Sequence, residues 1–154
     1  MRITQSATIR SATLAAALML AGASFAMPVQ AEEAASPWPA GAEAYIISPA
    51  DGATVKSPVT VLFGLKGLGV APAGVEKAKT GHHHLLIDTD LPKGDELNDP
   101  LPADAHHIHF GGGQTQTTVE LTPGKHTLQL IMGDAGHVPH NPPLASKKIT
   151  ITVE

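Results

Sequence analysis

The chain has 154 residues with nine histidines and no cysteine, and its 10 basic side chains stand against 14 acidic ones, a formal net charge of −4. This length suggests one domain. The absence of cysteine excludes disulfides, thiolate metal sites and cysteine nucleophiles. Phosphate-backbone binding depends on clustered lysine and arginine, and the chain has only two arginines, both in its first ten positions, so we expect no nucleic-acid partner.

The first 31 residues have the layout of a secretory signal peptide. Arg2 and Arg10 precede a run of small and apolar residues, and small-x-Ala cleavage sites end at Ala26 and Ala31. We favour cleavage after Ala31, which leaves a mature chain from Glu32 with eight lysines against 14 acids, a formal net charge of −6. No second apolar run of membrane-spanning length follows. We therefore expect a periplasmic protein that is not inserted in the membrane after signal cleavage.

From residue 44 to the C terminus, short β-type runs alternate with turns rich in Gly and Pro. Residues 32–43, before them, predict a flexible lead-in in which Trp38 is a tail residue rather than a plug at the domain's end. The predicted strands are AYIIS, VTVLFGL, HHHLLID, HHIHF, TQTTVEL, KHTLQLIM and KKITITV. No window shows a sustained helical period. Seven short strands in roughly 110 residues predict an all-β domain at 44–154, an immunoglobulin-like antiparallel β-sandwich.

All nine histidines lie between positions 82 and 140, and an up-and-down trace of the seven strands sorts them by end. The turn at Pro123 and Gly124 marks one end. There His126 takes the place of a corner tyrosine and is predicted to be a structural, hydrogen-bonded residue that faces the core. The opposite end collects the start of the third strand, the glycine-rich turn after His109 and the loop 133–146. Three segments therefore deliver histidines to the same end of the sandwich.

The chemistry of these histidines predicts a transition-metal site. Side chains at i and i+2 of a strand share a face, so His82 with His84, and His107 with His109, each offer two imidazoles to one ion. Imidazole suits copper and zinc, and copper(II) is favoured by its intrinsic affinity for nitrogen ligands. The candidate metal ligands are His82, His83, His84, His109, His137 and His140.

Four motifs resemble the DUF4399 family of small exported bacterial domains of unknown function. They are TGHHHLLIDTDLP, HFGGGQT, PGKHTLQLIMGD and HVPHNPP, and together they span nearly all of the mature domain. The resemblance implies an exported domain and marks the six candidate ligands and His126 as motif positions, but it implies no activity.

The segment SPADGATVKSPVTVLF, Ser48 to Phe63, resembles the opening of the CopC-type periplasmic copper-resistance carriers. Those carriers use a histidine at the mature N terminus as a copper ligand. The predicted mature chain begins with Glu32, so their copper site does not transfer to this sequence.

The sequence thus predicts a monomeric periplasmic protein that binds a copper or zinc ion through a histidine cluster, for metal carriage, buffering or sensing. One alternative is a metal-free interaction module whose histidines order its loops and whose partner is another envelope protein. The other is an enzyme with a histidine-ligated metal ion. The sequence shows no Ser-His-Asp arrangement and no paired carboxylates near the histidines, so we expect no metal-free enzyme.

Overall fold

The computed structural model describes residues 38–154, which form two β-sheets packed face to face. The predicted signal peptide and residues 32–37 of the lead-in lie outside this range. The strands are β1 (Glu43–Ser48), β2 (Thr54–Val55), β3 (Val59–Lys66), β4 (Gly69–Val70), β5 (Thr80–Ile87), β6 (His107–His109), β7 (Gln116–Val119), β8 (Gly124–Gly133) and β9 (Ile149–Val153), with a 3-10 helix at Gly94–Asn98. No helix within residues 38–154 is long and apolar enough to cross a membrane.

The smaller sheet has the strand order β1-β3-β7, and the larger has the order β2-β9-β8-β5-β4 with β6 also paired to β5. The seven predicted strands all occur and all pair antiparallel. The additional two-residue strands β2 and β4 pair in parallel with β9 and β5. The predicted all-β sandwich is therefore confirmed, with sheets of three and six strands.

Alternating apolar side chains build the core between the two sheets. Val59, Val61 and Phe63 of β3 are buried, and these side chains meet inward-facing residues of β5, β8 and β9. The central members of this core are Val61, Phe63, Leu85, Ile87, Leu128, Leu130 and Ile151. On β5, the odd-numbered residues therefore face the core.

Strand β5 is also covered on its outer face, because every residue from Gly81 to Ile87 is buried. The even-numbered side chains, His82, His84 and Leu86, point away from the core. Leu86 packs against Leu101, which lies in the segment between the 3-10 helix and β6. Loops thus cover the outer face of the larger sheet, and the histidines of β5 lie beneath them.

Trp38 packs on the domain, so its prediction as a tail residue was wrong. Its indole N–H donates to the Pro139 carbonyl at 2.9 Å, and its ring meets the His140 ring edge-on with centroids 5.8 Å apart. The side chain also packs against the apolar cluster of Ala44, Met132 and Leu144. A single aromatic residue among small residues has no hydrophobic period from which such packing can be predicted.

Candidate metal centre

Four histidines from three segments converge on the outer face of the larger sheet. His82 and His84 come from β5, His109 from the end of β6, and His137 from the loop after β8. One ring nitrogen from each lies within 4.8 Å of the others. Within residues 38–154 this is the one group of three or more potential ligand residues that lie so close together. We call it the four-histidine cluster.

Strand pairing brings the ligand-bearing segments side by side. His84 is paired with His109 across the β5–β6 ladder, and His82 with Gly133 across the β5–β8 ladder. Side chains of directly paired residues lie on the same face of a sheet. His109 therefore joins His82 and His84, and β8 ends at Gly133, from which the following loop carries His137 to the same place.

The ring nitrogens lie at separations that suit a shared metal ion. His84 Nε2 is 3.1 Å from His82 Nε2, which is 3.1 Å from His137 Nδ1. Two nitrogens bound at about 2.0–2.1 Å to a tetrahedral zinc ion would be about 3.3 Å apart. All four nitrogens lie within 4.8 Å of one another, so slight rotation of the rings is enough to bring them to this separation around one ion.

Burial favours the neutral form of His82, His84 and His109, which is the form that binds a metal. His82 and His84 are fully buried, whereas His109 and His137 are partly exposed. Burial lowers the pKa of His82 to about 4, with further lowering by His109 and His137 and an opposing effect of Asp134. Burial and then His82 lower the pKa of His84 to about 3, and burial also holds the pKa of His109 below its usual value. Three of the four converging imidazoles are therefore held in the form that binds a metal.

Several buried nitrogens of the cluster have no hydrogen-bond partner in the described part of the chain, namely His82 Nδ1, His84 Nδ1 and His109 Nε2. An unpartnered buried polar atom costs about 1–3 kcal/mol. Metal-binding histidines usually donate their second ring N–H to a carboxylate or carbonyl. Packing, rather than such hydrogen bonds, therefore orients His82 and His84. His109 Nε2 has no hydrogen-bond partner that would compete with a metal ion.

Two glycines make room for the imidazole rings. A Cβ atom on Gly133 would lie 2.9 Å from His84 Nε2 and 3.2 Å from the backbone of His137. A Cβ atom on Gly111 would overlap the ring of His109. Gly111, in the glycine-rich turn after His109, thus allows the backbone to approach this ring closely. The role of Gly133 is visible only once β8 is aligned with β5.

Asp134, which the sequence analysis did not identify, organises the loop that carries His137. Its Oδ1 accepts from the N–H groups of Gly136 at 2.8 Å and Val138 at 3.0 Å, and its carbonyl accepts from the His137 N–H at 3.0 Å. Burial acts to raise the pKa of Asp134, but hydrogen bonds from Val138, His140 and Gly136 outweigh this effect and hold the pKa below its usual value. Aspartate before a glycine-containing turn is the sequence signal that identifies such a residue.

Two of the six candidate ligands lie outside the cluster. His83 points into the sandwich core, where its ring centroid is 5.2 Å from that of Phe63. Burial lowers its pKa to about 4, against a weaker opposing effect of the Gln114 backbone. His140 pairs instead with Asp134, whose Oδ2 is 2.7 Å from His140 Nε2.

Two histidines around β6 are held by local contacts. His107 shares the face of His109, but it pairs with Leu86 instead of His84, and its Nδ1 lies 2.9 Å from Asp104 Oδ1. His106 Nδ1 lies 2.8 Å from the Ile87 carbonyl oxygen. Neither belongs to the four-histidine cluster.

His126 lies at the opposite end of the domain, as predicted. Its Nδ1 is 2.7 Å from Asp88 Oδ2, and its Nε2 is 2.8 Å from the Thr122 carbonyl oxygen. Because both ring nitrogens face acceptors, the imidazolium form satisfies both. The Asp88 hydrogen bond accordingly raises the pKa of His126. The predicted structural, hydrogen-bonded role is confirmed.

The fold and the cluster define an all-β domain with a candidate four-histidine metal centre. The chain belongs to the family described as Domain of unknown function (DUF4399), whose model matches residues 61–154. The predicted family resemblance is thereby confirmed, and the matched range contains the whole cluster. No curated protein and no solved structure matches the chain. The resemblance of residues 48–63 to copper-resistance carriers gains no support from these comparisons.

Proposed function

We propose that the protein binds one transition-metal ion through His82, His84, His109 and His137 and that it carries, buffers or senses this ion in the cell envelope. The observation that carries the proposal is the convergence of four imidazole nitrogens, from three segments, within 4.8 Å. Gathering neutral donors and leaving some without hydrogen bonds costs the folded state free energy. A bound cation would offset part of this cost, because His109 Nε2 and the ring nitrogens gathered around His82 Nε2 would then share a positively charged partner.

The ligand chemistry narrows the choice of ion. Calcium and magnesium take oxygen ligands, whereas imidazole suits zinc, copper, iron and nickel. Copper(II) leads the divalent series in affinity for nitrogen donors, and zinc(II) is the close alternative. The 3.1 Å contacts on either side of His82 Nε2 are near the nitrogen separation in a tetrahedral site, which is the geometry of zinc(II), whereas copper(II) prefers a square-planar site.

The number of ligands favours a held or carried ion over a catalytic one. Catalytic zinc sites have three protein ligands and leave a position for water or substrate, whereas structural sites are closed by four protein ligands. Four histidines complete a tetrahedral ion. The partly exposed His109 and His137 give the ion a route to solvent, which a carrier or buffer requires.

The test is metal analysis of protein purified without a histidine tag, stripped with a chelator and reloaded with copper(II) or zinc(II). We expect one ion per chain and a rise in melting temperature, because an ion that binds the folded state stabilises it. The double variant His84→Ala/His137→Ala should lose both effects. The matched control His106→Ala/His107→Ala removes two histidines outside the cluster and should keep both.

Absence of a bound ion in the reloaded wild type would refute the proposal and favour the metal-free interaction module. Equal losses in the ligand and control variants would also refute it, because the ion would then bind to histidines in general. Export is part of the proposal and has its own test. Mass spectrometry of the envelope fraction should detect a mature N terminus at Glu32, and an intact chain from Met1 would contradict it.

A further inference from the structure

One ligand of the four-histidine cluster differs from the others in how the backbone holds it. His82, His84 and His109 are on strands, where ladder hydrogen bonds fix their positions. His137 is in a loop and has a left-handed backbone with φ of 70°. Such a conformation is unfavourable for a residue with a side chain, and it persists only where neighbouring contacts impose it. His137 is therefore the ligand whose position depends most on surrounding hydrogen bonds.

Those hydrogen bonds come from a compact group outside the cluster. Asp134 binds the backbone of the loop through Oδ1 and contacts His140 through Oδ2, at 2.7 Å. The His140 ring meets Trp38 edge-on, and the Trp38 N–H donates to the Pro139 carbonyl at 2.9 Å. We call Asp134, His140 and Trp38 the latch. The latch holds the loop on both sides of His137, at Asp134 and at Pro139, and contributes no ligand to the cluster.

The latch lies beside His137, one of the two ligands through which the cluster reaches solvent. The core side of β5 is filled by His83 and Phe63, which are packed together. His82 and His84 are fully buried. Of the two partly exposed ligands, only His137 is on a loop, so outward movement of this loop is the smallest change that opens the cluster.

We propose that the latch controls metal exchange, with Asp134, His140 and Trp38 acting as positioning residues that hold His137 on the ion. The ion enters and leaves when the latch releases the loop. This inference rests on the proposed function. The latch sets the rate of metal exchange, whereas the four-histidine cluster determines whether an ion binds at all.

The experiment measures transfer of copper(II) from the loaded full chain to excess EDTA, followed through the visible absorption of the bound ion. His140→Ala removes the contact to Asp134, whereas His140→Gln keeps an amide donor facing it. Both variants carry a side chain at the same left-handed position, φ 61°, so their comparison isolates the hydrogen bond. Trp38→Phe keeps the ring contact with His140 but removes the N–H donor.

We expect His140→Ala to release copper(II) about 10- to 100-fold faster than wild type, the effect of losing one hydrogen bond to a charged group. His140→Gln should release copper(II) almost as slowly as wild type. The release rate of Trp38→Phe should lie between those of wild type and His140→Ala. The absorption spectrum of the loaded variants should match wild type, because the ligands are unchanged. In the metal-free protein, His140→Ala should also accelerate hydrogen exchange of the His137 and Val138 amides.

Wild-type release rates in His140→Ala and Trp38→Phe would overturn the latch and leave the proposed metal site standing. A changed spectrum in His140→Ala would also overturn it, because His140 would then be a ligand. A wild-type protein that takes up no copper(II) would refute the proposed function instead. Unchanged amide exchange in metal-free His140→Ala would refute the latch on its own.

Discussion

Gly133→Ala is the substitution that most directly tests the geometry of the four-histidine cluster. The backbone of Gly133 is not in the left-handed region, so alanine can adopt it. The new Cβ would lie 2.9 Å from His84 Nε2, and ordinary contacts begin at 3.4 Å, so this ring must move by about 0.5 Å. Metal–ligand distances tolerate about 0.2 Å. The backbone of His137, at 3.2 Å, must shift as well.

We therefore expect Gly133→Ala to weaken metal binding by about 10- to 100-fold, or about 1.4–2.8 kcal/mol, as when a ligand loses its orientation. The assay is competition against a chromophoric chelator with copper(II) and with zinc(II). Gly136→Ala is the matched control in the same loop, because its Cβ would meet only Asp134 Oδ1, at an ordinary 3.5 Å. It should bind like wild type.

Stability of the metal-free protein does not decide this test. Replacing glycine with alanine at a compatible position stabilises by about 0.4–1 kcal/mol through the unfolded state, which offsets part of any clash. The affinity ratio between Gly133→Ala and Gly136→Ala is the informative quantity. A ratio near one would show that the ion does not sit between His84 and His137, and the reasoning from the ring positions would fail.

Three further outcomes are expected. His126→Ala should lower the free energy of unfolding by about 1–3 kcal/mol, because it removes the hydrogen bond to Asp88 and the one to a backbone carbonyl, and should leave the metal stoichiometry unchanged. His83→Leu should keep or raise the melting temperature and keep metal binding, because an apolar side chain replaces a core imidazole that makes no well-formed hydrogen bond within residues 38–154. The metal-free protein should lose stability as pH falls from about 6.5 towards 4, because His82, His83 and His84 have folded pKa values of about 4, 4 and 3 and the unfolded chain binds more protons in that window.

Each of these outcomes has a contrary result that thermal melting or metal analysis would reveal. Loss of bound metal in His126→Ala would place that residue in the site. A large destabilisation by His83→Leu would mean that its imidazole makes a hydrogen bond in the core. A melting temperature independent of pH between 6.5 and 4 would mean that the three buried rings titrate as they do in water.

The strand alternation allowed the fold to be predicted from the sequence, because most strands bury one face only. Strand β5 and the second half of β8 are exceptions, because both of their faces are buried, and β5 carries the histidines. Leu85 and Ile87 face the core, whereas Leu86 faces the loops on the outer side of the sheet. The sequence therefore shows that the side chain of His83 points away from the face shared by His82 and His84, but it does not show which of the two faces lies in the core. The packing of a loop over Leu86 identifies the outer face, and this packing is a tertiary contact that no local sequence pattern predicts.

The two histidines of the HVPH motif could not be separated from the sequence for a related reason. His137 and His140 both have left-handed backbones, with φ of 70° and 61°. Their different roles depend on where the loop directs each ring, and Asp134 determines this through its contacts to the backbone and to His140. Sequence spacing predicts shared faces on strands, but in an irregular loop it predicts no direction.

The position of the cluster under the loops changes what metal binding does for the protein. A site at the rim of the sandwich would bind an ion without affecting the rest of the domain. Here His84 is buried against Gly133, and the His137 carbonyl accepts from the Leu101 N–H at 3.0 Å. An ion would therefore connect β5 and β6 with two loops, the segment before β6 and the loop after β8. The free energy of metal binding would then appear as stability of these loops. Loss of the ion should therefore increase the mobility of the segment before β6 and of the loop after β8, and leave the core between the sheets intact.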